Sequence, residues 1–221
     1  MTREPKPEAI DAKIRGHYLV RSTASAVPAP LLVGFHGYGE NAEQHLRELS
    51  SIPGSDDWTL VSVQALNRFY ERKTGIVVGN WMTSDDREQM ILDNLAYVDS
   101  IVAAVSEAHG TTSTVVYSGF SQGVAMAYRA AILGRTPAAG IIALAGDVPP
   151  ELQTDEPASW PQVLIGRGTD DSWYTEEKID SDVAFLATKS ISLNTIVFDG
   201  GHEWHHDFRT AAGHLLDAAK S

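Results

Sequence analysis

Apolar residues in this chain gather into short dense runs, separated by stretches in which they recur every three or four positions. The runs at Tyr18 to Arg21, Leu31 to Phe35, Thr59 to Val63, Thr114 to Ser118, Gly140 to Leu144, Gln162 to Ile165 and Asn194 to Phe198 read as strands. Several are nearly all apolar, which suits a sheet covered on both faces because neither side is left to water. The clearest helix carries Ile91, Leu95, Val98, Val102 and Val105 on one stripe and closes at His109-Gly110, with glycine in the C-cap place. A second helix begins after Ser121, with Val124, Tyr128, Ala131 and Ile132 on one face and Ala125, Ala127 and Ala130 permitting close approach to the sheet. A third follows His202 and presents Phe208, Ala211, Leu215 and Ala219. Strands alternating with helices predict the α/β class, a mostly parallel central sheet with helices on both faces. There is no internal repeat and no linker. Residues 1–12 read as an N-terminal tail and 13–221 as a single domain; the loop richest in proline, Asp147 to Pro161, does not resemble a separate cap domain.

Composition narrows the chemistry. A length of 221 residues suits one substantial domain, and no apolar run approaches the roughly 20 residues of a membrane span. The opening Met1-Thr2-Arg3-Glu4-Pro5-Lys6-Pro7 carries prolines and charges where a secretory signal has its apolar core, so a cytoplasmic location is expected. A formal net charge of -12 opposes binding to nucleic acid and to anionic lipid, and favours neutral or cationic substrates. The absence of cysteine removes disulfides, thiolate metal sites and thiol nucleophiles.

The most informative segment is Gly119-Phe120-Ser121-Gln122-Gly123, a G-x-S-x-G pentapeptide placed where a strand pattern becomes a helical one. It predicts a serine nucleophile on a sharp turn. A hydroxyl needs a base, and in doubly wound hydrolases the order is Ser, then Asp or Glu, then His, each on a loop at the carboxyl end of a strand. His202 follows the last strand and the turn Asp199-Gly200-Gly201, and is the expected base. The acid falls in Gly168-Thr169-Asp170-Asp171, where Asp171 is favoured, Asp170 is the alternative, and Asp147 after the preceding strand is a third candidate. Phe35-His36-Gly37-Tyr38-Gly39 follows an early buried strand as an oxyanion loop should, so the backbone amides of Tyr38 and Gln122 are the expected donors and His36 is structural. Trp81, Trp173 and Trp204 fall in loops near these positions and are candidate walls of a substrate pocket. A competing motif, His202-Glu203-Trp204-His205-His206, matches the zinc signature H-E-x-x-H, but two glycines before His202 place it at or before the start of the helix that the motif requires.

Taken together, His36-Gly37-Tyr38-Gly39, Gly119-Phe120-Ser121-Gln122-Gly123, Gly168-Thr169-Asp170-Asp171 and Gly200-Gly201-His202-Glu203 resemble, in order, the four site motifs of the phospholipase/carboxylesterase branch of the α/β-hydrolases. That branch includes acyl-protein thioesterases and small bacterial carboxylesterases, and the resemblance runs over nearly the whole chain after its first dozen residues. Its pattern of a glycine, two residues and then the catalytic aspartate singles out Asp171. The resemblance implies an α/β-hydrolase fold and a serine carboxylesterase acting through an acyl-enzyme on Ser121, with thioesters and lysophospholipids in the same substrate range. It implies no metal and no organic cofactor, and a small-molecule ester or thioester as substrate. Two departures bear on substrate: Arg167 precedes Gly168 where the family has histidine, and Tyr174 stands where it has valine. Gly79-Asn80-Trp81-Met82 matches the tryptophan-bearing loop of the thioesterases only loosely, so protein deacylation is not carried over. Two other classes are open, a catalytically idle binding protein of the same fold and a zinc hydrolase using His202 and His206.

Overall fold

Period-two alternation within the apolar runs serves two helical layers at once. In the computed structural model, which describes residues 9–10, 12–23, 28–154 and 159–220, every run named from the hydrophobic pattern falls on a strand, only Thr114 lying just outside its own. The expected tail at 1–12 and part of the 147–161 loop fall largely outside the described residues. The strands β1 (His17–Arg21), β2 (Leu31–Phe35), β3 (Thr59–Gln64), β6 (Val115–Phe120), β7 (Gly140–Leu144), β8 (Gln162–Gly168) and β9 (Leu193–Phe198) form one sheet in the order β1-β3-β2-β6-β7-β8-β9. All neighbours are parallel except β1, which runs antiparallel to β3 at the edge. In β2, Leu31, Val33 and Phe35 face a layer made by α2 (Arg87–His109), α3 (Gln122–Leu133) and α5 (Glu176–Ala187), whereas Leu32 faces α1 (Ala42–Ser50) and α6 (His206–Ala219). Ile141 and Ile142 of β7 and Val163 and Leu164 of β8 divide the same way. Burying both sides of these strands is the main hydrophobic stabilisation of the sheet.

Local chemistry sets the helix ends. α1 starts at a capping box in which Asn41 accepts from the Gln44 N–H and the Gln44 side chain accepts from the Asn41 N–H. α2 ends at Gly110 in the left-handed conformation, as the sequence anticipates. α3 buries Val124 and Tyr128 of its expected stripe and departs from it in also burying Met126 and Arg129, because the helix is packed between the sheet and α2. Two strands have no counterpart in the hydrophobic pattern. β4 (Asn67–Tyr70) and β5 (Val77–Asn80) pair with each other outside the main sheet, with a single bridge from Gly79 to Glu40, and β4 is exposed throughout, so it lacks the buried face that creates an apolar alternation. The short α4 (Pro150–Thr154) follows β7, and among the described residues no element stands apart as a cap.

The turn from β6 into α3 is closed by contact. Ser121 sits at φ 52 and ψ -122, a strained conformation for a residue with a side chain, and its N–H donates to Leu144 O at 2.9 Å. A Cβ on Gly119 would run into the Gly123 carbonyl, and one on Gly123 would run into the carbonyl oxygens of Phe35 and His36. Both glycines are thus required by space, which is what lets the helix press onto β2 and β6. Gly123→Ala should lower the thermal midpoint by the equivalent of about 2 kcal/mol or more, the cost of overpacking rigid backbone; a midpoint equal to that of the parent would show that the backbones can separate freely.

Two buried histidines give the fold an acid sensitivity. His45 of α1 is fully buried with neither ring nitrogen partnered among the described residues, and burial lowers its pKa from 6.5 to about 3. His36 is lowered to about 4, again by burial, against a hydrogen bond to Gly37 that raises it. The unfolded chain therefore binds protons that the folded chain refuses, so this part of the stability is complete above pH 6.5 and is lost as the pH falls towards 4 and below. The urea midpoint should drop between about pH 7 and about pH 5, at up to ~1.4 kcal/mol per pH unit for each histidine, and His45→Leu should remove roughly half of that drop. An unaltered pH slope in the variant would contradict a neutral His45.

Candidate active site

Parallel register delivers the loops of five strands to one edge. Phe35 pairs with Gly119, Gly119 with Ala143, Leu144 with Gly166, and Gly168 with Phe198, so the chain leaves β2, β6, β7, β8 and β9 at the same carboxyl end. The elbow raises Ser121 there, at the N-terminus of α3, where the Gln122 N–H has no intrahelical acceptor.

The loop after β8 is stitched to the loop after β9. Thr169 N–H donates to Phe198 O at 2.8 Å, and Asp170 N–H donates to Gly200 O at 2.9 Å. This turns the Asp171 side chain inward and leaves Asp170 exposed. Asp171 Oδ1 accepts the N–H groups of Trp173 and Tyr174 at 2.8 and 2.9 Å, and Oδ2 lies 2.8 Å from His202 Nδ1. An ionised carboxylate only accepts, so the imidazole carries its proton on Nδ1 and keeps a lone pair on Nε2. The ring rests on Phe120 at 4.9 Å between centroids. Asp147, the third candidate acid, is exposed and accepts from Lys178 Nζ at 3.3 Å. The structure therefore brings Asp171 and His202 together, and neither Asp170 nor Asp147 is within reach of that ring nitrogen.

Ser121 and His202 line one cavity of about 270 Å³, together with Gln122, Arg129, Asp147, Trp173, Tyr174 and Lys178 among others. No hydrogen bond joins Ser121 Oγ to the imidazole in this state; such contacts often close only with substrate bound. Beside the serine, Gly37 N–H is taken by Glu40 Oε2 at 2.8 Å and Gly39 N–H by Gly79 O at 3.0 Å, whereas the Tyr38 N–H between them has no acceptor among the described residues. Burial raises the pKa of Glu40, the bond from Gly37 opposing. His36 donates from Nδ1 to Gly37 O at 2.7 Å and accepts the Ala65 N–H at Nε2, so both its nitrogens are committed to the loop's shape.

The three tryptophans separate. Trp173 lines the cavity and is 73% exposed at its mouth. Trp81 is corrected from pocket wall to core: at 1% exposure it packs edge-on to Phe35, and its Nε1 donates to His36 O at 2.8 Å. Trp204 is likewise absent from the cavity wall and packs against His45, Phe120 and Phe208. What the sequence pattern missed is the brace beneath the site. Gln122 Oε1 accepts the Trp81 N–H at 3.0 Å, while its Nε2 donates to Asn80 Oδ1 at 2.7 Å and Met82 O at 3.0 Å. Arg129 was legible in principle, since Ser121, Ala125 and Arg129 repeat every four residues along the inward face of α3.

The two family departures have clear structural uses. Arg167 donates to Thr169 O at 2.9 Å, and Tyr174 donates its hydroxyl to the buried Asp182 at 2.8 Å while forming part of the cavity wall. The H-E-x-x-H stretch does not assemble its metal pair. α6 begins only at His206, with His205 as its N-cap in extended backbone, so His202 is outside the helix and turned to Asp171. Among the described residues, the ligand atoms that do approach one another, within 4.8 Å, are those of His205, His206 and Asp207, without His202.

Comparison with known proteins agrees with this architecture. The family model described as Phospholipase/Carboxylesterase matches residues 18–179. Among solved structures, esterase PE8 superposes with a TM-score of 0.73 at 22% identity, covering 93% of this chain and 100% of its own. The Bacillus cereus carboxylesterase gives 0.72 at 16% identity over 92% and 94%, and Zea mays acyl-protein thioesterase 2 gives 0.70 at 16% identity over 94% and 100%. A comparison with curated proteins returns no significant match. These likenesses show the α/β-hydrolase fold, and no helix among the described residues is long and apolar enough to cross a membrane. With nearly three-quarters of the chain matched by the family model, the protein belongs to the phospholipase/carboxylesterase family and is a carboxylesterase-type hydrolase.

Proposed function

We propose that the protein hydrolyses carboxylic esters, with thioesters in the same range, through an acyl-enzyme on Ser121. Ser121 Oγ attacks the carbonyl carbon while His202 Nε2 takes its proton, and Asp171 holds the imidazole in the tautomer that leaves Nε2 free. The oxyanion of the tetrahedral intermediate accepts the amides of Tyr38 and Gln122, donors already in place before charge develops. His202 then protonates the departing alcohol or thiol, and water deprotonated by the same nitrogen releases the acid. The observation that carries this reading is the 2.8 Å contact between His202 Nδ1 and the buried, doubly hydrogen-bonded Asp171, in a cavity shared with a serine held at positive φ. The zinc reading is not favoured by any comparable observation, because His202 is already committed to a carboxylate.

Intact-mass measurement after fluorophosphonate treatment should show one adduct on the native protein and none on Ser121→Ala, whose ester turnover should fall at least about a thousandfold without loss of folding. An unlabelled native protein would remove Ser121 as nucleophile and favour a binding role for the fold. The same assay separates the neighbouring aspartates: Asp171→Asn should cost about a thousandfold or more in kcat, whereas Asp170→Asn, on an exposed side chain, should change it by less than about threefold. The reverse ranking would move the triad's acid to Asp170.

A further inference from the structure

The cavity beside Ser121 is not the apolar slot that an acyl chain alone requires. Arg129 lies two turns along α3 from the elbow, about 12 Å by helical rise, and its side chain leans back towards the helix N-terminus and thus towards Ser121. It lines the cavity although only 4% of the side chain is exposed. Its Nε donates to Glu151 Oε1 at 2.6 Å, and Arg87 donates to the other oxygen of that carboxylate at 2.8 Å. Two guanidinium groups thus share the Glu151 carboxylate through one nitrogen each, and the terminal N–H groups of Arg129 have no acceptor among the described residues. Arg129 is thus a largely buried cation whose terminal groups are available to a ligand in the cavity. The second cation of the wall, Lys178, donates to Trp173 O at 2.9 Å and to Asp147 at 3.3 Å, so these two opposite charges offset each other. Asp182, behind the wall, is occupied by the Val148 N–H and the Tyr174 hydroxyl.

We propose that the site takes substrates whose acyl part ends in a carboxylate, half-esters or half-thioesters of short dicarboxylic acids, with Arg129 as the residue that receives the distal carboxylate. The planar fork of a guanidinium matches a carboxylate with two parallel hydrogen bonds, and a water-poor wall strengthens them. At about 270 Å³ the cavity has room for an acyl group of about four to six carbons. The inference rests on the esterase reading above. In the reaction the ester C–O bond breaks, the alcohol leaves with the proton from His202, and one water restores the enzyme and yields the dicarboxylate. The net charge of -12 favours neutral or cationic substrates at long range, but that field is screened in salt over about 10 Å, whereas Arg129 acts at contact.

The test compares monoethyl adipate with ethyl hexanoate, which has the same six-carbon acyl chain without the charge, by kcat/KM on the native protein with fluorophosphonate labelling in parallel. Native protein should favour the half-ester by at least about tenfold, Arg129→Met should bring the ratio close to one, and Arg129→Lys, which keeps charge but not the fork, should fall between them. The native ratio needs no variant, so misfolding of Arg129→Met leaves the question decidable. Equal or faster hydrolysis of ethyl hexanoate, or labelling of Ser121 with neither ester cleaved, overturns the inference and leaves the serine-hydrolase reading intact. Absence of both labelling and hydrolysis overturns the two together.

Discussion

Ser121 is held where its backbone does not prefer to be. A φ of 52 with ψ of -122 costs of the order of 1–3 kcal/mol for a residue with a Cβ, and it persists because the surroundings leave no alternative. Leu144 O anchors the serine N–H, Gly123 abuts the carbonyls of Phe35 and His36, and a Cβ at Gly146 would meet the Ser121 carbonyl. The strain is therefore distributed over three neighbouring parallel strands, each buried on both faces. One outcome is a hydroxyl standing clear of the sheet. The other is a first helical N–H, that of Gln122, with no acceptor of its own.

The brace under this turn links segments far apart in sequence. Gln122 holds Asn80, Trp81 and Met82, Trp81 reaches His36, and Asn94 of α2 donates to Trp81 O at 2.9 Å. A neutral His36, buried and engaged at both nitrogens, then shapes the Gly37-Tyr38-Gly39 turn from below. Amides fixed in this way would need little reorganisation if charge developed beside them, which is the property the proposed oxyanion site depends on. The exposed hairpin β4–β5 thus matters less for its own packing than for the loop that leaves it.

Charge is organised on two scales in this molecule. The chain as a whole is strongly acidic, yet the cavity wall near the serine carries Arg129 and Lys178 beside Asp147, and behind it the buried Arg129 shares the half-buried Glu151 with Arg87. A summed charge describes the long-range field, screened and averaged, whereas a site answers to groups at hydrogen-bond distance in a poor dielectric. Tyr174 and Arg167, the two departures from the family pattern, take part in the same local arrangement through Asp182 and Thr169.

The sequence by itself determined the seven strands of the main sheet, the helices α2, α3 and α6, the α/β class and the elbow, because these follow from local periodicity and from glycines that the chain's own geometry demands. Motif order also put Ser121, Asp171 and His202 in the loops after β6, β8 and β9. The tertiary structure decided what depends on contacts between distant segments. It turned Asp171 inward and Asp170 outward through bonds to the neighbouring loop, it moved Trp81 and Trp204 from the pocket into the core, and it formed a hairpin whose exposed strand left no apolar signature. It also placed Arg129 in the cavity wall. A side chain's facing and partner are set by the segments folded against it, and no spacing along one strand or helix contains that information.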